Sequence, residues 1–337
     1  MSDVDQLEEL LARKRTPSEW RSVQGFRKES VPWKLWEKAK KGFWDPADID
    51  FTKDKQQWDS LDEAQQLQVA GLARGFMVGE EGVTLDIVPL ILAVADEGRT
   101  EEAMYLTTFA MEEAKHIDFF RKWFDGVGAD PAELAERQRR RMEDQGLQPQ
   151  QGSPMFESEL PRIMRRVLTD RSPQAFLDCG VTYNQFIEGV LAISGYKVWG
   201  AMFASFGLLP GLQEGIGLVR RDEGRHITYG TYLCRRILAN NPELLDWARN
   251  RMYELRDGTY PGGGGGGAYG ANGNGNGNGN GEQRQGEGGP IMDFQRFAME
   301  QVERRVQILE KAATLDPEQA ELGVGAEEVE EQMDSLV

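Results

Sequence analysis

Residues 113–116 read Glu-Ala-Lys-His and residues 223–226 read Glu-Gly-Arg-His. These are the only two histidines in the 337-residue chain, and each follows a glutamate by three positions. In an α-helix that spacing advances about 300°, so Glu and His project from neighbouring turns of one face and can bind one metal ion. A lone Glu-x-x-His is common on solvated helices. Here both histidines are used, and each pair has an acid at a nearly repeated upstream distance, Glu80 33 residues before Glu113 and Glu188 35 before Glu223. A bundle that holds two metals needs this set: Glu-x-x-His on each of two helices and a lone Glu on each of the other two. The expected ligands are therefore Glu80, Glu113, His116, Glu188, Glu223 and His226. Glu81 competes with Glu80 on sequence alone. Glu112 adjoins Glu113 but is not three before a histidine, so its replacement by alanine is expected to be mild.

The rest of the chain fits an all-α fold. Apolar periodicity is helical almost throughout, and no run of alternating strands appears. Ser60 with Glu63 reads as a capping box opening a long helix that carries Glu80 and Val83. Pro89 should end or kink that helix. Thr100 is placed to cap the next one, which carries Glu113 and His116 and stops near Gly126 and Gly128. Asp130-Pro131 and Ser172-Pro173 are cap-then-proline starts. The second of these helices carries Tyr183 and Glu188 and stops by Gly207. An amphipathic stretch beyond Leu212 carries Glu223 and His226, and residues 20–58 are expected to wrap the outside of the bundle. The segment 261–290 reads PGGGGGGAYGANGNGNGNGNGEQRQGEGGP, which has almost no side chain to bury and reads as a linker or loop. The expected organisation is a metal-binding domain over 1–255, a Gly/Asn-rich linker over 256–291, a returning helix within 292–326 and an acidic tail over 327–337.

Composition narrows the function classes. A net charge of −17 argues against general nucleic-acid binding, which needs clustered Lys and Arg. The longest apolar run, 87–95, is far below the roughly 18 residues that suggest a membrane span. The first residues lack the basic start and apolar run of a signal peptide, so a cytoplasmic location is expected. Cys179 and Cys234 are too few and too separated for a disulfide framework.

At the expected ligands the chain resembles a known family, the ligand-binding oxidases related to the radical-generating small subunit of ribonucleotide reductase. The matching stretches are FWDPADID (43–50), GEEGVT (79–84), YLTTFAMEEAKH (105–116), VTYNQFIEG (181–189) and DEGRH (222–226). The resemblance implies a ferritin-like four-helix bundle core with additional helices and a di-metal carboxylate site inside it. A typical reductase subunit carries its radical tyrosine four residues after the first histidine. This chain has Phe120 there. Val83 and Tyr183 match the two residues that the oxidases join by a carbon–oxygen ether bond. Val83, three after Glu80, shares its face. Tyr183, five before Glu188, lies about 140° away in an ideal α-helix and needs a local distortion to approach the metals. Asp222 resembles the aspartate that hydrogen-bonds the first-site histidine, here His116, and Trp44 the tryptophan at the outer end of that electron route.

The resemblance further implies manganese at Glu80, Glu113 and His116 and iron at Glu188, Glu223 and His226, dioxygen as oxidant, a long-chain fatty acid with its carboxylate at the metals, and a homodimer. Four carboxylates and two neutral imidazoles suit divalent iron or manganese, so two irons remain the alternative. Phe76, Met77, Phe119, Phe120, Phe186 and Ile187 are the candidate tunnel lining. Three other readings stay open at this point: a reductase small subunit without the radical tyrosine, a ferritin-like iron store, and a lipid-binding protein with a structural metal pair. The tail EEVEEQMDSLV (327–337) has no aromatic residue of the kind that reductase tails use for radical transfer.

Overall fold

The computed structural model describes residues 20–148, 152–206, 209–260 and 290–323. These form helices and turns, with no strand among the described residues. Four long helices make the bundle: α1 (Glu63–Asp86), α2 (Thr100–Val127), α3 and α4 (Pro210–Asn240). The third, α3, runs through Pro173–Cys179, a π-helical stretch Gly180–Ala192 and Ile193–Phe206. Shorter helices surround them. Val31–Lys41 packs on α2 and α4, Pro131–Asp144 on α1, and Pro290–Ala312 on α3 and α4. Residues 261–289 of the expected linker and the acidic tail lie outside the described residues, as does Gly207, while 256–259 end the helix Leu245–Thr259 and 290–291 open the helix Pro290–Ala312.

Local signals set most boundaries. Asp130 accepts from the Ala132 amide and Ser172 from the Ala175 amide, each just before a proline that needs no amide partner. Gly128 closes α2 in the left-handed conformation at φ 70°, which glycine adopts without strain. Pro89 sits in the first turn of a new helix, Val88–Asp96, after α1 has ended at Asp86. Two expected caps are corrected. The box that opens α1 is Asp62 with Gln65, whose side chains exchange hydrogen bonds with each other's backbone amides at 2.9 and 3.0 Å. Ser60 instead donates to the Gln57 carbonyl, because the turn it belongs to ends before the helix begins. Thr100 is the first helical residue of α2 rather than its cap, and Arg99 precedes it with no side-chain cap bond.

Two large apolar cores fill the bundle beside a small third cluster of Ile193, Ile227 and Phe297, and the predicted ligands separate the two large ones. Along α1, Phe76 belongs to one core and Val83 to the other, with Glu80 between. Along α2, Phe109 and Phe119 flank Glu113 and His116 in the same way. Fully burying one such phenylalanine contributes about 2–3 kcal/mol, which helps offset the desolvation of the charged layer. Close helix approach depends on missing side chains at two positions. A Cβ on Gly230 would fall 1.9 Å from the Asn184 Cβ, and one on Gly215 would fall 1.9 Å from the Phe119 ring. Those glycines let α4 lie against α3 and α2.

Asp54, on the helix Thr52–Trp58, fixes the start of α4 from outside it. Its two carboxylate oxygens accept from the Gly211 and Leu212 amides, both at 2.8 Å, and one also accepts from the Trp123 indole at 3.1 Å. The carboxylate thus satisfies amides that the first helical turn leaves without partners, and its charge opposes the positive end of the helix. Asp54→Ala should lower unfolding stability by about 2–4 kcal/mol, since a cap is lost and buried donors are orphaned. Denaturant unfolding checks this. A loss below a few tenths of a kcal/mol would show that the α4 start is held elsewhere.

Candidate metal centre

The four bundle helices bring all six predicted ligands together. α1 supplies Glu80, α2 supplies Glu113 and His116, α3 supplies Glu188 from its π-helical stretch, and α4 supplies Glu223 and His226. All six are buried. They form two overlapping groups, Glu80–Glu113–His116–Glu223 and Glu113–Glu188–Glu223–His226, with the ligand atoms of each within 4.8 Å of one another. Glu113 and Glu223 belong to both groups, so each is placed to bridge two ions. Glu81 does not join either group.

Each histidine turns one nitrogen inward and the other to a carboxylate. His116 Nδ1 is 3.3 Å from Glu80, 3.5 Å from Glu223 and 3.7 Å from Glu113. Its Nε2 is 3.2 Å from Asp222, the partner that the family resemblance implies for it. His226 Nδ1 is 3.1 Å from Glu113, 3.6 Å from Glu223 and 3.9 Å from Glu188. Its Nε2 is 3.0 Å from Glu112. Outer carboxylates of this kind fix the ring orientation and the tautomer that leaves the inner nitrogen free to bind. Glu112 is therefore a partner of His226, and the expectation of a mild Glu112→Ala is corrected.

The outer carboxylates are themselves held by buried cations. Arg225 pairs with Asp222 at 2.5 Å and also with Glu112, while Lys115 lies 2.7 Å from Asp222. Trp44 donates its indole N–H to Asp222 at 2.7 Å and stacks near the His116 ring at 6.3 Å. Asn184 donates to Glu188 at 2.8 Å. Glu112, Lys115, Arg225 and Asn184 escaped the sequence reading, yet a signal for three of them exists. The two motifs read Glu112-Glu113-Ala-Lys115-His116 and Asp222-Glu223-Gly-Arg225-His226, so both run acid, Glu, small residue, cation, His. In each motif the leading acid serves the histidine of the opposite helix.

The donor set fits two cations. Asp222 and Glu112 face Lys115 and Arg225, which leaves four inner carboxylates to balance two divalent ions. Burial and the charges of neighbouring carboxylates push Glu80 and Glu188 well above the usual carboxylate range, and Glu223 is raised for the same reasons. Burial opposes charge on both imidazoles, but Glu80 beside His116 and Glu223 and Glu113 beside His226 raise both. Burial likewise acts against ionised Glu113 and Asp222, but the facing histidines, with Arg225 and Lys115 beside Asp222, hold both far below their ordinary values. Glu113 Oε2, Glu188 Oε1 and His226 Nδ1 are buried without a hydrogen-bond partner among the described residues. Such atoms are costly unless something positive sits between them.

Tyr183 reaches the same place. Its phenol donates to Glu113 at 3.0 Å. The π-helical stretch explains how: a five-residue separation that diverges on an α-helix spans about one turn of a π-helix, so Tyr183 and Glu188 share a face. Val83 lines a cavity of about 30 Å³ with Phe76, Phe156, Ile187, Leu191 and four of the ligands. That volume holds roughly two or three water-sized groups. Of the expected tunnel residues, Phe76 and Ile187 line it. Met77 is only partly buried, Phe119 and Phe120 belong to the second core, and Phe186 packs in the first. Aromatic residues beside a ligand in sequence face whichever core their helix turn dictates.

Comparison with known proteins agrees with the site. The sequence profile of the family described as ribonucleotide reductase, small chain, matches residues 27–257. A solved R2-like ligand-binding oxidase from Sulfolobus acidocaldarius is 32% identical, covers 89% of this chain and 97% of its own, and superposes with a TM-score of 0.71. The chain belongs to this family. A second neighbour, an R2-like ligand-binding oxidase with an aerobically reconstituted Mn/Fe cofactor, is 28% identical over 94% of this chain and 96% of its own, with a TM-score of 0.64. Membership makes the chain an oxidoreductase with a helical bundle around a dinuclear site. No helix among the described residues is long and apolar enough to cross a membrane.

Proposed function

We propose that the protein is a dioxygen-dependent oxidase with a manganese/iron pair, carrying out a two-electron oxidation with a long-chain fatty acid bound at the metals. Manganese is assigned to Glu80, Glu113 and His116, and iron to Glu188, Glu223 and His226, with two irons as the alternative. When bound, the metal pair supplies the electrons and the open coordination positions that dioxygen reduction needs. The chain's own residues do the rest. Asp222 and Glu112 orient the imidazoles, the two apolar cores exclude water, and Glu113 holds the Tyr183 phenolic proton. The cavity is lined by the apolar Phe76, Val83, Phe156, Ile187 and Leu191 as well as by four carboxylates, the mixture that a fatty acid bound by its head group calls for. Its volume means that these side chains must move to admit an acyl chain.

The observation that carries the oxidase reading is the convergence of Val83 and Tyr183 on the shared ligand Glu113. Val83 lines the cavity with Glu80 and Glu113, and Tyr183 bonds to Glu113. Joining Val83 Cβ to the Tyr183 oxygen removes one hydrogen from each, two electrons and two protons in all, with dioxygen as the final acceptor. Protein loaded with reduced metals and exposed to air should therefore lose two hydrogen masses, and peptide mapping should find the two segments linked. Tyr183→Phe should keep its metals and form no link. Unchanged mass in loaded, oxygen-exposed protein would count against the oxidase. It would favour the second reading, a reductase small subunit, which the Trp44–Asp222–His116 line also fits. Anomalous diffraction at the iron and manganese edges assigns the ions.

The homodimer is supported by exposed apolar side chains on neighbouring helices. Val78 and Leu85 on α1, Val88 and Leu92 on the following helix, and Met111 on α2 are each about half exposed or more. Apolar side chains exposed together on helices that pack against one another suit a self-complementary contact with a second copy.

A further inference from the structure

A line of tyrosines leaves the metal centre on the side away from Trp44. Phe109 packs edge-on against the His226 ring and lies 5.7 Å from Tyr183 and 6.3 Å from Tyr229, between ring centroids. Tyr229 is 6.2 Å from Tyr232. Both phenols are buried, and each donates to a carboxylate, Tyr229 to Glu102 and Tyr232 to Glu321, both at 2.9 Å. Arg99 pairs with Glu102 at 2.8 Å, donates to the Tyr232 oxygen at 3.2 Å and pairs with Glu321, while Arg236 lies 3.4 Å from Glu102. The Arg99 and Glu321 side chains are 21% and 29% exposed, so the line ends at the protein's rim.

We propose that Tyr229 and Tyr232 form a one-electron relay by which a reductant at the Arg99–Glu321 rim returns the oxidised metal centre to its reduced state. The proposal rests on the dinuclear oxidase reading. A buried phenol can give up an electron at moderate cost only if its proton leaves at the same time, because a phenol radical cation is a strong acid in a medium that does not solvate it. Tyr229 has that acceptor in Glu102 and Tyr232 has it in Glu321. Tyr105 is 5.4 Å from Tyr229, but its buried hydroxyl has no hydrogen-bond partner among the described residues, so it is not a stopping place.

The steps balance. Tyr229 gives one electron to the oxidised metal pair and its phenolic proton to Glu102. Tyr232 then gives one electron to the Tyr229 radical and its own proton to Glu321, while the Glu102 proton returns to Tyr229. A one-electron reductant outside the protein supplies the electron that restores Tyr232, and the Glu321 proton returns with it. Net, one electron passes from the reductant to the centre.

The test uses the full chain loaded with manganese and iron, oxidised in air and then mixed with ascorbate. Loss of the oxidised centre's visible absorption gives the rate. Tyr229→Phe and Tyr232→Phe should each slow it by about tenfold or more, and Tyr105→Phe should leave it unchanged. Wild-type reduction should slow in deuterium oxide, because protons move at both phenols, and the residual rate in the variants should not. Without ascorbate, repeated oxidation should leave oxidation products on Tyr232, found by peptide mapping, that disappear in Tyr229→Phe. Metal content and oxygen uptake are measured on the same samples, and absence of either overturns the oxidase reading and the relay together. Unchanged reduction rates in loaded, oxygen-consuming Tyr229→Phe and Tyr232→Phe, or undiminished Tyr232 oxidation in Tyr229→Phe, overturn the relay alone.

Discussion

Replacing Glu113 with alanine should remove both metal ions, a larger effect than removing any ligand that belongs to one group. Its carboxylate is shared: one oxygen lies 3.1 Å from His226 Nδ1 and the other 3.7 Å from His116 Nδ1, and both groups of potential ligands include it. Without it the two ions lose a bridge, and one of four negative charges that balance them is gone. The affinity of both sites should fall by more than the roughly 10–100-fold that a lost outer partner costs. Glu80→Ala and Glu188→Ala each subtract a ligand from one group only, so each should leave one ion bound more tightly than the other. Metal analysis after gel filtration distinguishes these patterns. If Glu113→Ala retained two ions while Glu80→Ala lost both, the bridging assignment would be wrong.

What could be read from the sequence and what could not have physical causes that differ residue by residue. Glu113, His116, Glu223 and His226 were legible because the helical period ties a three-residue spacing to one face whatever the tertiary context, and Glu80 and Glu188 because they stand at nearly repeated distances upstream of the two pairs. The position of Tyr183 was not. Its spacing from Glu188 points away from the site on an α-helix, and nothing in VTYNQFIEG announces the π-helical stretch that turns it inward. The pairing of Asp222 with His116 came through resemblance, but the matching role of Glu112 was available from the motif alone and was missed. Both leading acids precede a ligand glutamate by one residue, about 100° round the helix, which aims each at the facing helix rather than at its own histidine. Phe76 and Ile187 line the cavity, and the other four candidates lie off it for a more general reason: a residue beside a ligand is buried either way, and only packing decides which core it joins. The extent of the bundle helices was read well because proline and glycine punctuate them. The cap of α1 was misplaced because Ser60 and Asp62 offer overlapping signals, and the carboxylate two residues later is the one that the helix uses.

Glu112→Ala should be severe, contrary to what its position beside a ligand implies. Its carboxylate is buried, receives Arg225 and lies 3.0 Å from His226 Nε2, so its removal acts twice. Arg225 keeps Asp222 but loses half of its charge compensation in a site that is almost fully buried. Breaking a buried pair from one side costs about 3–5 kcal/mol, and because Asp222 remains the lower end, about 3 kcal/mol, is expected. His226 meanwhile loses the acceptor that orients its ring, which should weaken metal binding on its side by about 10–100-fold. The first effect appears in denaturant unfolding of metal-free protein and the second in metal titration, so the two can be measured separately. Glu112→Gln divides them further. Its amide oxygen can still accept from His226 or from Arg225, so ring orientation should be partly rescued, while the missing charge should leave most of the stability loss in place. Glu112→Ala with wild-type unfolding and both ions held at wild-type affinity would mean that the Glu112–Arg225–Asp222 cluster does not support the centre.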